Sequence, residues 1–368
     1  MEVAIILLTL VMIVAFIFEY INGFHDSANA VATVVSTKAL TPRRAIIYAS
    51  ILNFTGAFFG THVAQTIGAG MVSHETVTQL VILCALLGAV IWNLLTWYLG
   101  LPSSSSHALI GGLLGAAIAH AYFSLDKAYE LVLKFPSLHF EHPALDIVNG
   151  HNVLYKVLIP MIASPILGFV VGFLVILVLL KMFYKVRPEY LNRAFRKLQL
   201  FSSGFLAFSH GSNDAQKTMG IITLSLMTFG VIQNKTFEIP VWVIFACALT
   251  LAMGTMTGGW KIIRTMSSKV IKMKPIHGFS VEIASASIII TASHFGFPVS
   301  TTHIISTAIM GVGSMVKFSA VKWGIVKNIV SAWVCTIPIC MMLSAFIYFV
   351  LMHTPFAGVT ATATVAFH

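Results

Sequence analysis

Two turns in this sequence carry more hydroxyls than a turn needs. Pro102 is followed by Ser103, Ser104, Ser105, Ser106 and His107, and Pro298 by Val299, Ser300, Thr301, Thr302 and His303. Each opens an apolar, helix-forming run. A hydroxyl cluster at a helix start offers side-chain O–H donors together with first-turn N–H groups that lack an intrahelical acceptor. The helix dipole adds positive potential at the same end, so the pattern suits an oxyanion. Ser104, Ser105, Ser106, Ser300, Thr301 and Thr302 are therefore candidate anion ligands. A lone Ser or Thr would be an ordinary N-cap; four in one turn and three in the other exceed what capping uses.

Two acids sit inside otherwise apolar runs. Asp26 is surrounded by Asn22, His25, Ser27 and Asn29, and Asp214 by His210, Ser212, Asn213, Gln216 and Lys217. An ionisable group within a membrane segment costs roughly 2.5–3.5 kcal/mol on insertion scales and marks a functional site by default. If the helices break at Asn22–Ala30 and Ser209–Lys217, freed carbonyls and these side chains form hard oxygen donors suited to Na⁺ or a proton relay. The expected ion-coupling residues are Asp26, Asp214, Asn213 and Glu19, with Na⁺ placed at Asp26, Asn29 and Asp214. Asn29, Gln216 and Lys217 complete the candidate substrate set. Lys217 could meet an anion, pair with Asp214, or snorkel to an interface. Glu282 could reach an interface from the start of its helix. His25, His107, His210 and His303 show no zinc-type spacing and are read as hydrogen-bonding neighbours.

The elements that must position these residues are membrane helices. Of the 368 residues, 58% are hydrophobic and 9% charged, and mean hydropathy is +0.91. A soluble domain carries roughly 25% charged residues, and repeated apolar runs long enough to span a bilayer exclude one here. No strand-like alternation supports a β-barrel. Cys84, Cys247, Cys335 and Cys340 all lie in apolar stretches without metal or disulfide spacing and read as packing residues. Asn53, Asn93 and Asn328 read as hydrogen bonders between helices. The net charge of +10 does not imply nucleic acid, because the basic residues cluster between apolar runs.

The motifs recur. Gly23–Asp26 aligns with Gly211–Asp214 at an offset of 188, and Pro102–His107 with Pro298–His303 at an offset of 196. This predicts an all-α polytopic membrane protein of two inverted-topology repeats with broken helices. The repeats are 1–180 and 200–352, joined by a basic cytoplasmic linker at 181–199 and followed by an extracytoplasmic tail at 353–368. Segments 38–44, 181–199, 261–277 and 317–327 hold 17 of the 22 Lys and Arg residues. The positive-inside rule then places both termini outside the cytoplasmic membrane. The hydroxyl turns fit the tips of re-entrant hairpins better than surface turns, though either returns the chain to the same side.

The stretches Gly23-Phe-His-Asp-Ser-Ala-Asn-Ala-Val-Ala-Thr33 and Ser209-His-Gly-Ser-Asn-Asp-Ala-Gln-Lys217, with both Pro-hydroxyl turns in order, resemble the PiT family of inorganic phosphate transporters. The likeness runs from about residue 10 to 350. It departs at His25, where many relatives have Asn, and in the short loop between halves. The resemblance implies symport of inorganic phosphate, free or as a metal–phosphate complex, with H⁺ or Na⁺. It also implies a homodimer, no enzymatic activity and no cofactor. A sulfate permease on the same fold is the nearest alternative. An anion channel and an intramembrane hydrolase fit the repeated motifs less well, and no Gly-x-Ser-x-Gly element is present.

Overall fold

A computed structural model describes residues 2–72, 77–134, 148–232 and 236–353. The tail beyond His353 and residues 135–147 lie outside the described residues. The first half runs α1 (Glu2–Ser36), α2 (Pro42–Gly56), α3 (His62–Gly70), α4 (Gln79–Leu99), α5 (Ser105–Lys134), and then α6 (Gly150–Asn152) continued by a π-helical segment (Val153–Leu158) into α7 (Ile159–Met182). The second half repeats the order: α8 (Pro188–Thr228), α9 (Val241–Thr257), α10 (Trp260–Arg264) with a π-helical turn (Thr265–Lys269), α11 (Pro275–His294), α12 (Thr301–Val316) and α13 (Trp323–Met352).

Among the described residues, six helices are long and apolar enough to cross a membrane, or seven if the bent pair α9–α10 is one span. The burial pattern is that of a bilayer protein. Large apolar side chains face outward, with Val334 70% and Phe346 65% exposed, while charged and amide side chains fill the interior. In water such a surface would be costly to maintain; against lipid tails it costs nothing.

The halves grip each other reciprocally. α1 packs on α9 and α2 on α8; α5 packs on α13 and α12 on α7. Glycines set the closest crossings. A Cβ on Gly23 would lie 2.4 Å from the Leu251 carbonyl oxygen, and one on Gly254 2.1 Å from that of Tyr20. In the exchanged pair, Gly211 would meet the Asn53 carbonyl at 2.2 Å and Gly56 that of Phe208 at 2.1 Å. No other residue permits backbones to approach so closely. Two apolar clusters result. One takes Val11–Phe18 of α1 and Ala215–Leu226 of α8; the other takes Ala28–Val34 of α1 and Phe195–Ala207 of α8. The two long helices thus run in opposite directions between the clusters, and their polar motifs fall at the junction.

Two expectations change. The helical breaks are not where the polar motifs lie. The backbone is helical throughout Asn22–Ala30 and Ser209–Lys217. No proline forces a break there, and the polar side chains find partners on other helices without freeing the backbone. The interruptions fall at Ala57–Thr61, between α2 and α3, and at Gly258–Gly259, where Gly258 takes φ +72° and α9 and α10 meet at 60°. The basic linker is also shorter than 181–199, since Pro188 at the first helical position starts α8.

The four basic segments converge at one end of the bundle. Thr37 Oγ1 donates to Gln199 Oε1 (2.7 Å), Ser36 Oγ to the Ser267 carbonyl (2.5 Å), and the Lys322 amide to the Val270 carbonyl (3.1 Å).

Candidate functional site

The four motifs meet. Asp26 Oδ2 accepts from Ser105 Oγ at 2.9 Å. Asp26 Oδ1 lies 2.9 Å from His25 Nδ1 and accepts from Thr302 Oγ1 at 3.4 Å. Asp214 Oδ2 accepts from Thr301 Oγ1 at 3.4 Å, and its Oδ1 pairs with the Lys217 ammonium. The His210 imidazole brings Nε2 within 3.0 Å of Asp214 Oδ2. Between halves, Asn29 Nδ2 donates to Thr302 Oγ1 (2.8 Å) and Thr301 Oγ1 (3.3 Å). In the opposite sense, Lys217 Nζ donates to Ser106 Oγ. Asp26, Asn29, Ser105, Ser106, Asp214, Lys217, Thr301 and Thr302 are each 2% exposed or less, so this state is closed to water from both sides.

The hydroxyls divide their labour. Ser104 Oγ accepts from the His107 amide (3.2 Å) and Ser300 Oγ from the His303 amide (3.3 Å); these two are N-caps. The hydroxyls that follow in the first turns meet the charged groups: Ser105, Thr301 and Thr302 the acids, and Ser106 the Lys217 ammonium. Behind the turns, the His107 and His303 rings pack edge to face at 4.6 Å. Trp333 stacks on His303 and donates Nε1–H to the Pro102 carbonyl at 2.9 Å. The hairpin tips are therefore inside the bundle and not at its surface.

A second group of contacts fixes the acid-bearing helices. His25 Nε2 is 3.2 Å from Thr96 Oγ1 on α4, and Asn213 Nδ2 donates to Ser293 Oγ on α11 at 2.8 Å. Asn213 Oδ1 is buried without a hydrogen-bond partner among the described residues. Asn53 bridges His210 Nδ1 (3.2 Å) and Thr255 Oγ1 (3.0 Å). These anchors sit in apolar runs and carry no motif, so the sequence gives little signal for Thr96, Ser293 or Thr255.

Other expected residues are elsewhere. Gln216 points away from the acids and accepts from the Val63 (2.9 Å) and Ala64 (3.4 Å) amides, capping α3. Glu19 is one residue removed from the centre: it accepts from the Thr218 hydroxyl and from Asn22 Nδ2 (3.3 Å), while Asn22 Oδ1 accepts from Ser105 (2.6 Å). Glu282 does not reach an interface. It is fully buried and accepts from Thr33 Oγ1 (2.6 Å), Gln199 Nε2 (2.8 Å) and Ser202 Oγ (2.5 Å), tying α11 to α1 and α8. Asn93 is buried with its amide unpartnered among the described residues, and Asn328 and Cys335 are exposed on α13, so none of these three plays the part expected of it.

The centre has two kinds of chemistry. Ligand atoms of Asp26, His210 and Asp214 all lie within 4.8 Å of one another, a spacing that a small cation could bridge. Beside them are four hydroxyls at two helix starts and one ammonium, a donor set for a tetrahedral oxyanion.

The chain is similar over most of its length to proteins described as phosphate transporters. The family model described as "Phosphate transporter family" matches residues 22–344. A "Probable low-affinity inorganic phosphate transporter" of Bacillus subtilis is 43% identical over 95% of this chain and 99% of its own. One of the same description from Rhizobium meliloti is 42% identical over 91% and 94%. A solved structure, "The sodium-dependent phosphate transporter", superposes with a TM-score of 0.78 at 25% identity, covering 94% of this chain and 98% of that one. Closed around paired acids and facing hydroxyl turns, this multi-pass helical chain belongs to the phosphate transporter family.

Proposed function

We propose that the chain is a secondary active symporter, carrying inorganic phosphate across the cytoplasmic membrane together with a cation, H⁺ or Na⁺. The observation that carries this reading is the mutual contact of all four motifs: Ser105 on Asp26, Thr301 on Asp214, Asn29 on Thr302 and Lys217 on Ser106. Phosphate binds between the first turns of α5 and α12, held by Ser105, Ser106, Thr301 and Thr302 with Lys217 and Asn29 at the sides. Ser104 and Ser300 shape those turns as caps, and Gln216 is left out of the site.

Asp26 and Asp214 would repel a divalent anion if bare. A cation held by them, or a proton added to them, removes the repulsion, so anion and cation bind better together than apart. Asp26, Asp214, Asn213 and His210 surround the cation, and Glu19 stands one link behind. HPO₄²⁻ can donate a hydrogen bond to a carboxylate, whereas sulfate has no proton to give at neutral pH; acids beside the anion favour phosphate.

The two halves act as inverted repeats. Support comes from the opposite run of α1 and α8 and from the exchanged packing of α5 on α13 and α12 on α7. The convergence of basic segments supports a cytoplasmic location for that end. Purified protein in liposomes, given a Na⁺ gradient and a pH gradient separately, tests the function. Uptake of radiolabelled phosphate driven by one of the gradients is the expected result. Uptake indifferent to both, or sulfate competing as well as phosphate, removes the proposal.

A further inference from the structure

At positions related by the repeat offset of 188, Asp26 is followed three residues later by Asn29, and Asp214 by Lys217. The two side chains do the same structural job. Asn29 donates to Thr302 of the second-half turn, and Lys217 donates to Ser106 of the first-half turn, each at the second hydroxyl after the cap. What differs is charge. Lys217 also pairs with Asp214 Oδ1, leaving Oδ2 turned toward His210 and Asp26. Asn29 brings no charge to its half.

We infer that Lys217 is a tethered cation, fixed where the Asn29 half-site relies on a mobile one, so that each phosphate travels with a single exchangeable cation shared by Asp26 and Asp214. This rests on the cation-coupled reading above. The charge count is direct: two buried carboxylates and one ammonium leave one negative charge. One monovalent cation between Asp26, Asp214 Oδ2 and His210 cancels it. Lys217 already neutralises Asp214, so no unpaired acid remains for a second mobile cation; the anion's own charge is the same whether the second cation is fixed or mobile. Lys217 is thus a specificity-determining residue for cation number, and its contact with Ser106 keeps the fixed charge beside the anion.

The test measures initial phosphate uptake in liposomes against the concentration of the coupling cation. Wild type is expected to depend on it to about first order, and Lys217→Asn to about second order with a higher half-saturating concentration, since the slope is bounded by the number of cation sites. The double variant Asp214→Asn with Lys217→Asn removes one charge of each sign and is expected to return to first order. That variant also guards against a Lys217→Asn protein that fails to fold around an unpaired Asp214. A second-order wild type overturns the inference, as does a Lys217→Asn protein with the wild-type slope. So does finding Lys217→Asn and the double variant both inserted and both inert. Wild-type uptake that ignores every cation fells the symport reading itself, and this inference with it.

Discussion

The two half-sites are alike enough to compare, and unequal enough to rank. Ser105 and Thr301 stand at equivalent positions, yet Ser105 Oγ is 2.9 Å from Asp26 Oδ2 and 2.6 Å from Asn22 Oδ1, whereas Thr301 Oγ1 is 3.4 Å from Asp214 Oδ2. Phosphate must draw each hydroxyl away from its present acceptor. A hydrogen bond to a charged group contributes about 1.5–3 kcal/mol. Thr301 surrenders little, because its present bond is near the outer limit of hydrogen-bond length. Thr301→Ala should therefore raise the phosphate Kd by most of that bond's value, about 30-fold or more. Ser105 exchanges one good charge-assisted bond for another, so Ser105→Ala should cost about tenfold or less. Radiolabelled phosphate binding to purified protein at fixed cation concentration measures both. If neither variant moves Kd by about threefold, the hydroxyls are structural. If Ser105→Ala weakens binding more than Thr301→Ala, the exchange argument is wrong.

Asp26→Asn and Asp214→Asn should each abolish concentrative uptake while the protein still inserts and purifies; retained gradient-driven transport in both ends the coupling role. Glu282→Gln places an amide among three donors and should lower stability by about 1–3 kcal/mol, read as a fall in Tm, with phosphate Kd unchanged at fixed cation. Gly211→Ala drives a Cβ to 2.2 Å from the Asn53 carbonyl and should cost about 1–3 kcal/mol through overpacking. Gly150→Ala, with nothing within 4 Å of the added Cβ, should leave Tm unchanged.

The convergence of the site was legible, because two unrelated motifs recur in the same order and an acid in an apolar run needs partners. Its helical geometry was legible too, but only by period. Glu19, Asn22, Asp26, Asn29 and Thr33 are spaced three, four, three and four apart, one face of an unbroken helix. A broken-helix reading overlooks this stripe. The same period puts Asp214 and Lys217 on one face and Gln216 on nearly the opposite one, which is why Gln216 caps α3. The true interruptions gave weaker signals. Gly258–Gly259 marks one and Gly60, at φ +93°, the other, but single glycines such as Gly23 and Gly211 also lie inside unbroken helices. Glu282 could not be placed from sequence, since its partners Thr33, Gln199 and Ser202 come from two other helices.

The exchange of hairpins between halves bears on how the protein is made. α5, which carries Ser105 and Ser106, is clasped by α13, and α12, which carries Thr301 and Thr302, by α7. Gly115 shows how tight the clasp is: a Cβ there would lie 2.3 Å from the Met341 carbonyl. During synthesis the first hairpin therefore emerges into the bilayer without the surface it is shaped to meet. It waits while the whole second half is translated, and Trp333, which fastens the Pro102 turn, comes with the last described helix. A nascent chain released before α13 would hold every ligand of the site and still have no site. Completion of the site then hangs on a single late event, the docking of α13 on a hairpin translated long before.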